Sequence, residues 1–451
     1  MKIEWLYSLE RRSFNFPTNS LGFSISFSFF QLVIHIINGE IAVKKFYYRW
    51  ILVVLLLCAS CLNINAETGC IFKSFKQFKS ALDSLANIPD SSGREIALNA
   101  FWDSLKFRQQ IPFVFGDSVA LLYRGAAGSV LWHGDFDGWN REANKFTGTR
   151  VGLSHVWRCV ASFPKDARLD YKVVVDGNWI LDPDNPLQQW SGWGPNSELR
   201  MPDWQYPRET IVSPEIAKGT LSENEKIFSL NLGYEINYRI YTPAKYELLS
   251  NLPVIYVTDG HEYLSPHLGS MMAVLDNLIS EKKIEPIMAV FIDPRNPHNP
   301  NENRRANEYT MNENFLKFVA DELVPQIDDN YHSDPCPANR AILGTSLGGI
   351  NSAYFGVSRS DVFQLIAINS PAFQYKEAIF ASYQALPKLP LKIFISTGVI
   401  FDTEESARKM KKIFDEKGYQ VKYIEVNEGH SWGNWRGLVD DMLIYFFGMP
   451  D

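Results

Sequence analysis

Apolar and polar positions change rhythm twice along this chain. From Phe72 to about Phe107 the residues Phe72, Phe75, Phe78, Leu82 and Leu85 recur at steps of three and four, the period of an amphipathic helix. From Pro112 to about Trp204 the rhythm shortens to brief strands separated by Gly, Asp and Asn turns. Ser118–Tyr123, Ser129–Trp132, Val156–Phe163 and Leu169–Val175 are examples, and about seven such strands predict a β-sandwich. Beyond Gly219 a hairpin (Lys226–Leu230, Glu235–Tyr241) leads into strands that are continuous apolar runs. These are Leu252–Val257, Ile287–Ile292, Arg340–Leu343, Leu365–Asn369, Leu391–Ser396 and Val421–Val426. Helices are predicted between and after them, at Ser270–Glu281, Asn312 to about Ile327, Gly348–Val357, Glu405–Lys417 and Gly433–Phe447. Strands apolar on both faces, alternating with amphipathic helices, predict a mostly parallel sheet covered on both sides.

The segment Arg340-Ala341-Ile342-Leu343-Gly344-Thr345-Ser346-Leu347-Gly348-Gly349 carries the first chemistry. It places G-x-S-x-G between an apolar strand and a helix, the context in which a serine is presented on a strained turn. Glycine at 344 and 348 lets strand and helix approach closely, and the helix start aims the Leu347 amide at a developing oxyanion. A serine needs a base, and the base an orienting acid, in the chain order Ser, acid, His. His430 is the one histidine after Ser346, in Glu428-Gly429-His430-Ser431-Trp432, between the last strand and the last helix. Asp402 is the first carboxylate after strand Leu391–Ser396 and is the predicted acid. Glu404 and Glu405 suit the first turn of the following helix instead. The loop Thr258-Asp259-Gly260-His261 is expected to give a second oxyanion donor, from the amide of His261 or its neighbour Gly260.

These residues resemble the esterase group that includes enterochelin esterases, feruloyl and acetyl-xylan esterases and S-formylglutathione hydrolase. The matching motifs are Asp259-Gly260, Arg305-x-x-Glu308-Tyr309, Glu322-Leu323-Val324-Pro325, the serine segment, and Glu428 through Trp435. The resemblance implies an α/β-hydrolase fold, a Ser346–His430–Asp402 triad and no cofactor or metal. It also makes Arg305 and Glu308 an ion pair beneath the site, with Arg305, Trp432 and Trp435 as candidate substrate contacts. The stretches Trp132–Asn140 and Tyr171–Trp179 resemble the immunoglobulin-like modules of starch- and glycogen-binding proteins. Trp132, Trp139 and Trp179 are then either core and turn residues or platforms for sugar rings, and Trp190, Trp193 and Trp204 could wall the cleft.

The resulting division is a leader over 1–66, a helical arm over 67–111, an immunoglobulin-like β-sandwich over 112–204, a linker over 205–225 and an α/β-hydrolase domain over 226–451. In the leader, Arg49–Cys61 reads as a short apolar signal-peptide core behind Lys44 and Lys45, with cleavage after Ala66. Residues 1–42 then lie upstream of the true start, with Val43 as an alternative initiation site. A membrane helix over Leu21–Ile37 competes, against the polar Ser24, Ser26, Ser28 and His35. A lipoprotein at Cys61 also competes, with Cys58 out of place. Cleavage leaves Cys70, Cys159 and Cys336, which form no disulfide framework.

Composition narrows the partners. Net charge is −7 and no basic run is present, so no nucleic acid is expected. The expected activity is exported ester hydrolysis on acetyl or feruloyl groups of polysaccharides. The alternatives are a siderophore trilactone as substrate, acyl transfer to a sugar, or a non-catalytic carbohydrate binder.

Overall fold

The structure, a computed structural model, describes residues 72–449, so the expected leader lies outside the described residues. The arm is a helical hairpin, Phe75–Ala86 and Ser91–Phe107. Each helix starts on a side-chain cap: Ser74 Oγ accepts from the Gln77 amide and Asp90 from the Gly93 amide. The sandwich has nine strands: β1 (Phe113–Phe115), β2 (Ser118–Arg124), β3 (Val130–Gly134), β4 (Thr149–Arg150), β5 (Val156–Ser162), β6 (Arg168–Val175), β7 (Asn178–Ile180), β8 (Gln188–Ser191) and β9 (Gly194–Arg200). They form two antiparallel sheets, ordered β1-β2-β5-β4 and β3-β6-β9-β8, with β7 beside β6.

Strand β2 explains what the arm does. Its Val119 and Leu121 face the core between the sheets, packed with Trp132, Tyr171 and Leu199. The alternate Ala120 and Leu122 face the opposite way, against Phe78, Leu82, Leu98 and Trp102 of the arm. A sheet apolar on both faces needs a cover on its outer side, and the hairpin supplies it.

The sheet of the hydrolase domain has nine strands: β10 (Thr220–Leu221), β11 (Glu225–Ser229), β12 (Tyr234–Thr242), β13 (Val254–Val257), β14 (Met288–Asp293) and, after a short hairpin of β15 (Arg295–Asn296) and β16 (Asn299–Asn303), β17 (Arg340–Thr345), β18 (Leu365–Asn369), β19 (Lys392–Gly398) and β20 (Gln420–Val426). Its order is β10-β12-β14-β13-β17-β18-β19-β20, with β11 on β12 and the six strands from β14 to β20 in that order parallel. Ile342 points to one apolar layer, Ala341 and Leu343 to the other, as expected where helices cover both faces.

Two helices depart from expectation. The helix predicted over Asn312 to Ile327 runs through a π-helical turn, Phe318–Leu323, flanked by Glu313–Lys317 and Val324–Asn330. Pro325 offers no amide hydrogen to the preceding turn, and the widened turn accommodates that loss. The helix predicted over Gly433–Phe447 divides into Trp432–Arg436 and Val439–Phe447 around Gly437. Among the described residues no helix is long and apolar enough to cross a membrane.

Candidate active site

Strand β17 delivers Ser346 to a sharp turn with φ 61° and ψ −114°, before the helix Leu347–Ser358. A serine at positive φ is strained, so its surroundings must hold it. A Cβ on Gly344 would lie 2.0 Å from the Gly348 carbonyl oxygen, so strand and helix meet at a distance only glycine allows. The Ser346 amide donates to Asn369 O at 2.9 Å, and Ser346 O accepts from the Ala372 amide at 3.0 Å. The neighbouring strand-end thus fixes the turn on its open side. Leu347 opens the helix, where first-turn amides have no intrahelical acceptor.

His430 Nε2 lies 2.9 Å from Ser346 Oγ, and His430 Nδ1 lies 2.6 Å from Asp402 Oδ1. The Asp402 side chain is wholly buried, which on its own would raise its pKa. The hydrogen bond and charge of His430, then the Ser370 hydroxyl and the Gly398 amide, outweigh burial and hold it below the usual carboxylate range. An ionised carboxylate only accepts, so Nδ1 carries the imidazole proton and Nε2 is left to accept from the serine hydroxyl. That polarity is the one a general base requires.

The sequence pattern missed the supports of this carboxylate. Ser370 Oγ and Gly398 N each donate to Asp402 Oδ2 at 2.6 Å, and Asn434 Nδ2 approaches it at 3.4 Å. Trp435 Nε1 in turn donates to Ser370 Oγ at 2.9 Å, and its ring meets the His430 ring edge-on at 4.9 Å. Ser370 has φ 38° just after a buried strand, a place where Asn369-Ser370-Pro371 could have drawn notice.

Three expected substrate contacts are placed otherwise. Trp432 and Trp435 are buried, 4% and 8% exposed, packed edge-on against each other, so they support the histidine from behind. Arg305 pairs with Asp259 rather than with Glu308: its Nε lies 2.8 and 2.9 Å from the two Asp259 oxygens. Its Nη2 donates to Thr345 O at 3.0 Å. One guanidinium therefore sets the Asp259 loop in register with the residue before Ser346. Glu308 is buried and accepts from Tyr234 Oη at 2.9 Å, and burial raises it to about 7. Buried and hydrogen-bonded to Tyr234 instead of paired with Arg305, it serves the fold.

Asp259 itself has φ 55° and starts the short helix Gly260–Leu264. Its carbonyl accepts from the amides of Glu262 and Tyr263, while those of Gly260 and His261 begin the turn. A Cβ on Gly260 would lie 2.5 Å from the Phe291 backbone, so the loop packs directly on β14. The His261 ring is turned toward Asp293, with Nδ1 at 3.3 Å, and its pKa is lowered chiefly by burial. Of the sandwich tryptophans, Trp132 is core, Trp139 and Trp179 stack half-buried at 6.4 Å, and Trp193 is 99% exposed.

Residues 229–446 match a protein-family model described as "Putative esterase". An uncharacterized protein of Bacillus subtilis, YjcH, is 26% identical over 238 residues, covering 50% of this chain and 96% of that protein. An endo-1,4-beta-xylanase/feruloyl esterase of Xylanibacter ruminicola is 25% identical over 378 residues. That alignment covers 81% of this chain and 48% of the relative, so the chain spans about half of that protein's length. The enterobactin esterase FES of Shigella flexneri, solved in the presence of enterobactin, shares the fold at TM-score 0.60 and 18% identity. The likeness covers 72% of this chain and 92% of that one, so it includes antiparallel sheets in front of the hydrolase sheet. The matched region runs from Ser229, at the end of β11, into the last helix, and it is this region, just under half of the chain, that matches the putative esterase family of hydrolases, on an α/β-hydrolase fold.

Proposed function

We propose that this protein is a serine esterase that works through an acyl-enzyme on Ser346. His430 Nε2 takes the hydroxyl proton as Oγ bonds to the ester carbonyl carbon, and Asp402 stabilises the imidazolium. The carbonyl oxygen collects charge against the Leu347 amide and the amides of Gly260 and His261. The carbon–oxygen bond to the leaving alcohol then breaks, and His430 returns the proton to that oxygen. Water repeats the sequence, releasing the acid and restoring Ser346. The observation that carries this reading is the imidazole held between serine and buried carboxylate, at 2.9 and 2.6 Å. Ser346→Ala should abolish p-nitrophenyl acetate hydrolysis and fluorophosphonate labelling together, a loss of about 10⁴-fold or more; retained turnover would refute it.

For substrate we favour acetyl or feruloyl esters of polysaccharides. The supporting relative is the xylanase/feruloyl esterase, whose 378-residue match is longer than the hydrolase domain alone. Trp193 adds a physical reason. It stands at the tip of the β8–β9 hairpin, whose Gly192 abuts the Glu262 carboxylate, two residues beyond Gly260. A fully exposed indole at that place offers a flat face for a sugar or aryl ring. A siderophore trilactone is the second reading, supported by the fold shared with an enterobactin esterase, front sheets included. Acetylated xylan, a feruloyl oligosaccharide and a catechol trilactone, tried side by side, separate the two. Export belongs to the same proposal: secreted protein should begin at Glu67, and a peptide from residues 1–40 in cells would reject the upstream-start reading.

A further inference from the structure

We infer that Arg168, on the β-sandwich, is a positioning residue for His430, so that the front domain holds the catalytic base of the hydrolase domain in place. This rests on the esterase reading above. Arg168 is completely buried and spends every arm of its guanidinium at the junction of the two domains. Nε donates to Glu198 Oε1 at 2.7 Å and Nη2 to Asp170, both on the sandwich. Nη1 reaches across to Ser431 Oγ at 3.1 Å and lies 3.6 Å from Glu428 Oε2. The Arg168 backbone amide donates to Asn427 O at 3.3 Å, extending a strand-like bridge onto Glu428. One sandwich residue thus grips the chain on both sides of His430.

The fit leaves no slack. A Cβ on Gly433 would lie 2.0 Å from the Arg168 guanidinium carbon, and one on Gly429 would lie 2.4 Å from Asp135 Cγ. Asp135 is fixed in turn, accepting from the Asp170 amide at 2.8 Å and from Trp139 Nε1 at 3.0 Å. Trp204 Nε1 donates to Glu428 Oε1 at 3.1 Å. The Glu428 carbonyl then accepts from the Ile400 amide at 3.2 Å and lies where a Gly398 Cβ would be, 2.1 Å away. Gly398 is the residue whose amide holds Asp402. The histidine loop is therefore clasped between the sandwich on one side and the acid loop on the other. The imidazole needs that support, because its side chain is 36% exposed and must keep Nε2 at 2.9 Å from Ser346 Oγ. Misplacing a reacting group by about 1 Å costs on the order of 10²-fold in rate.

The test uses the full chain and counts competent sites by titration with a fluorophosphonate, so that kcat is expressed per labelled serine. Arg168→Lys keeps the charge but loses the planar fork. It should lower per-site kcat on p-nitrophenyl acetate by about 10–100-fold, with KM changed less than about threefold. Ser431→Ala removes only the bond to Nη1 and should cost about 3–10-fold, and the double variant should lose less than the product of the two. A merely structural role would lower the number of labelled sites and the melting temperature while leaving per-site kcat untouched, and that result overturns the inference. If Arg168→Lys does not fold, Ser431→Ala decides: unchanged per-site kcat there rejects it. An unmodified chain with neither label nor turnover rejects the esterase reading itself, and this inference with it.

Discussion

Ser346 is held wholly from within the hydrolase domain, His430 also by residues of the domain in front of it. Around the serine, Gly344 and Gly348 touch four residues apart, and Asn369 O and the Ala372 amide close the turn from the end of the adjacent strand. Around the histidine, the gripping groups are Arg168, Trp204 and Asp135, more than two hundred residues earlier, together with Ser370 acting through Asp402. The first device is steric at its centre and complete within one domain. The second is polar and assembled only when both domains are folded. Steric locks cost little to satisfy, whereas buried charges are stable only when every partner is present.

The contrast can be broken in four ways. Asp402→Asn should have the largest effect, because the amide cannot hold the Nδ1–H tautomer, and kcat should fall by about 10⁴-fold with the fold intact by circular dichroism. Gly344→Ala attacks the steric lock; a methyl 2.0 Å from a carbonyl oxygen should cost about 3 kcal/mol or more in urea unfolding. A loss under about 1 kcal/mol would show that the turn is not self-locked. Ser370→Ala removes one of the Asp402 donors and should lower kcat about tenfold or less, with Ser370→Thr partly restoring it.

The smallest effect is a pH dependence of stability. Burial lifts Glu428 to about 7, against the attraction of Arg168 and the Trp204 hydrogen bond, with Glu198 and Asp170 adding repulsion. Asp135 is raised as well, by burial and then by Asp170. The native state keeps protons that the unfolded chain has already released above the ordinary carboxylate range. Stability should therefore fall as pH rises from about 5 toward 8 and level off beyond, and melting temperatures of Glu428→Gln should show a flatter slope. An equal slope in that variant would place the charge elsewhere.

This division also explains what could be read before the fold was known. G-x-S-x-G is legible because its physics lies within five residues, and His430 because it is the one histidine in the right order. The parallel sheet was legible from apolar runs such as Ile287–Ile292. Arg168 left no trace, since a charge in an ordinary strand pattern looks like surface until the chain brings Glu198 and Glu428 to it. Arg305 misled for a related reason. Its spacing from Glu308 suits a pair on one helix turn, but Asp259 lies nearer once the sheet forms. Trp432 and Trp435 read as ligand contacts because aromatic residues beside a histidine carry no mark of which way they face.

Gly433 also bears on how such proteins can be rebuilt from parts. Its missing side chain is a socket shaped for a guanidinium that arrives from a separate module. Exchanging the front module for an unrelated one would leave that socket empty and the Glu428 carboxylate without its cation. A productive graft should therefore carry its own arginine to the same spot, or fill the hollow with a bulkier residue and a neutral glutamine at 428.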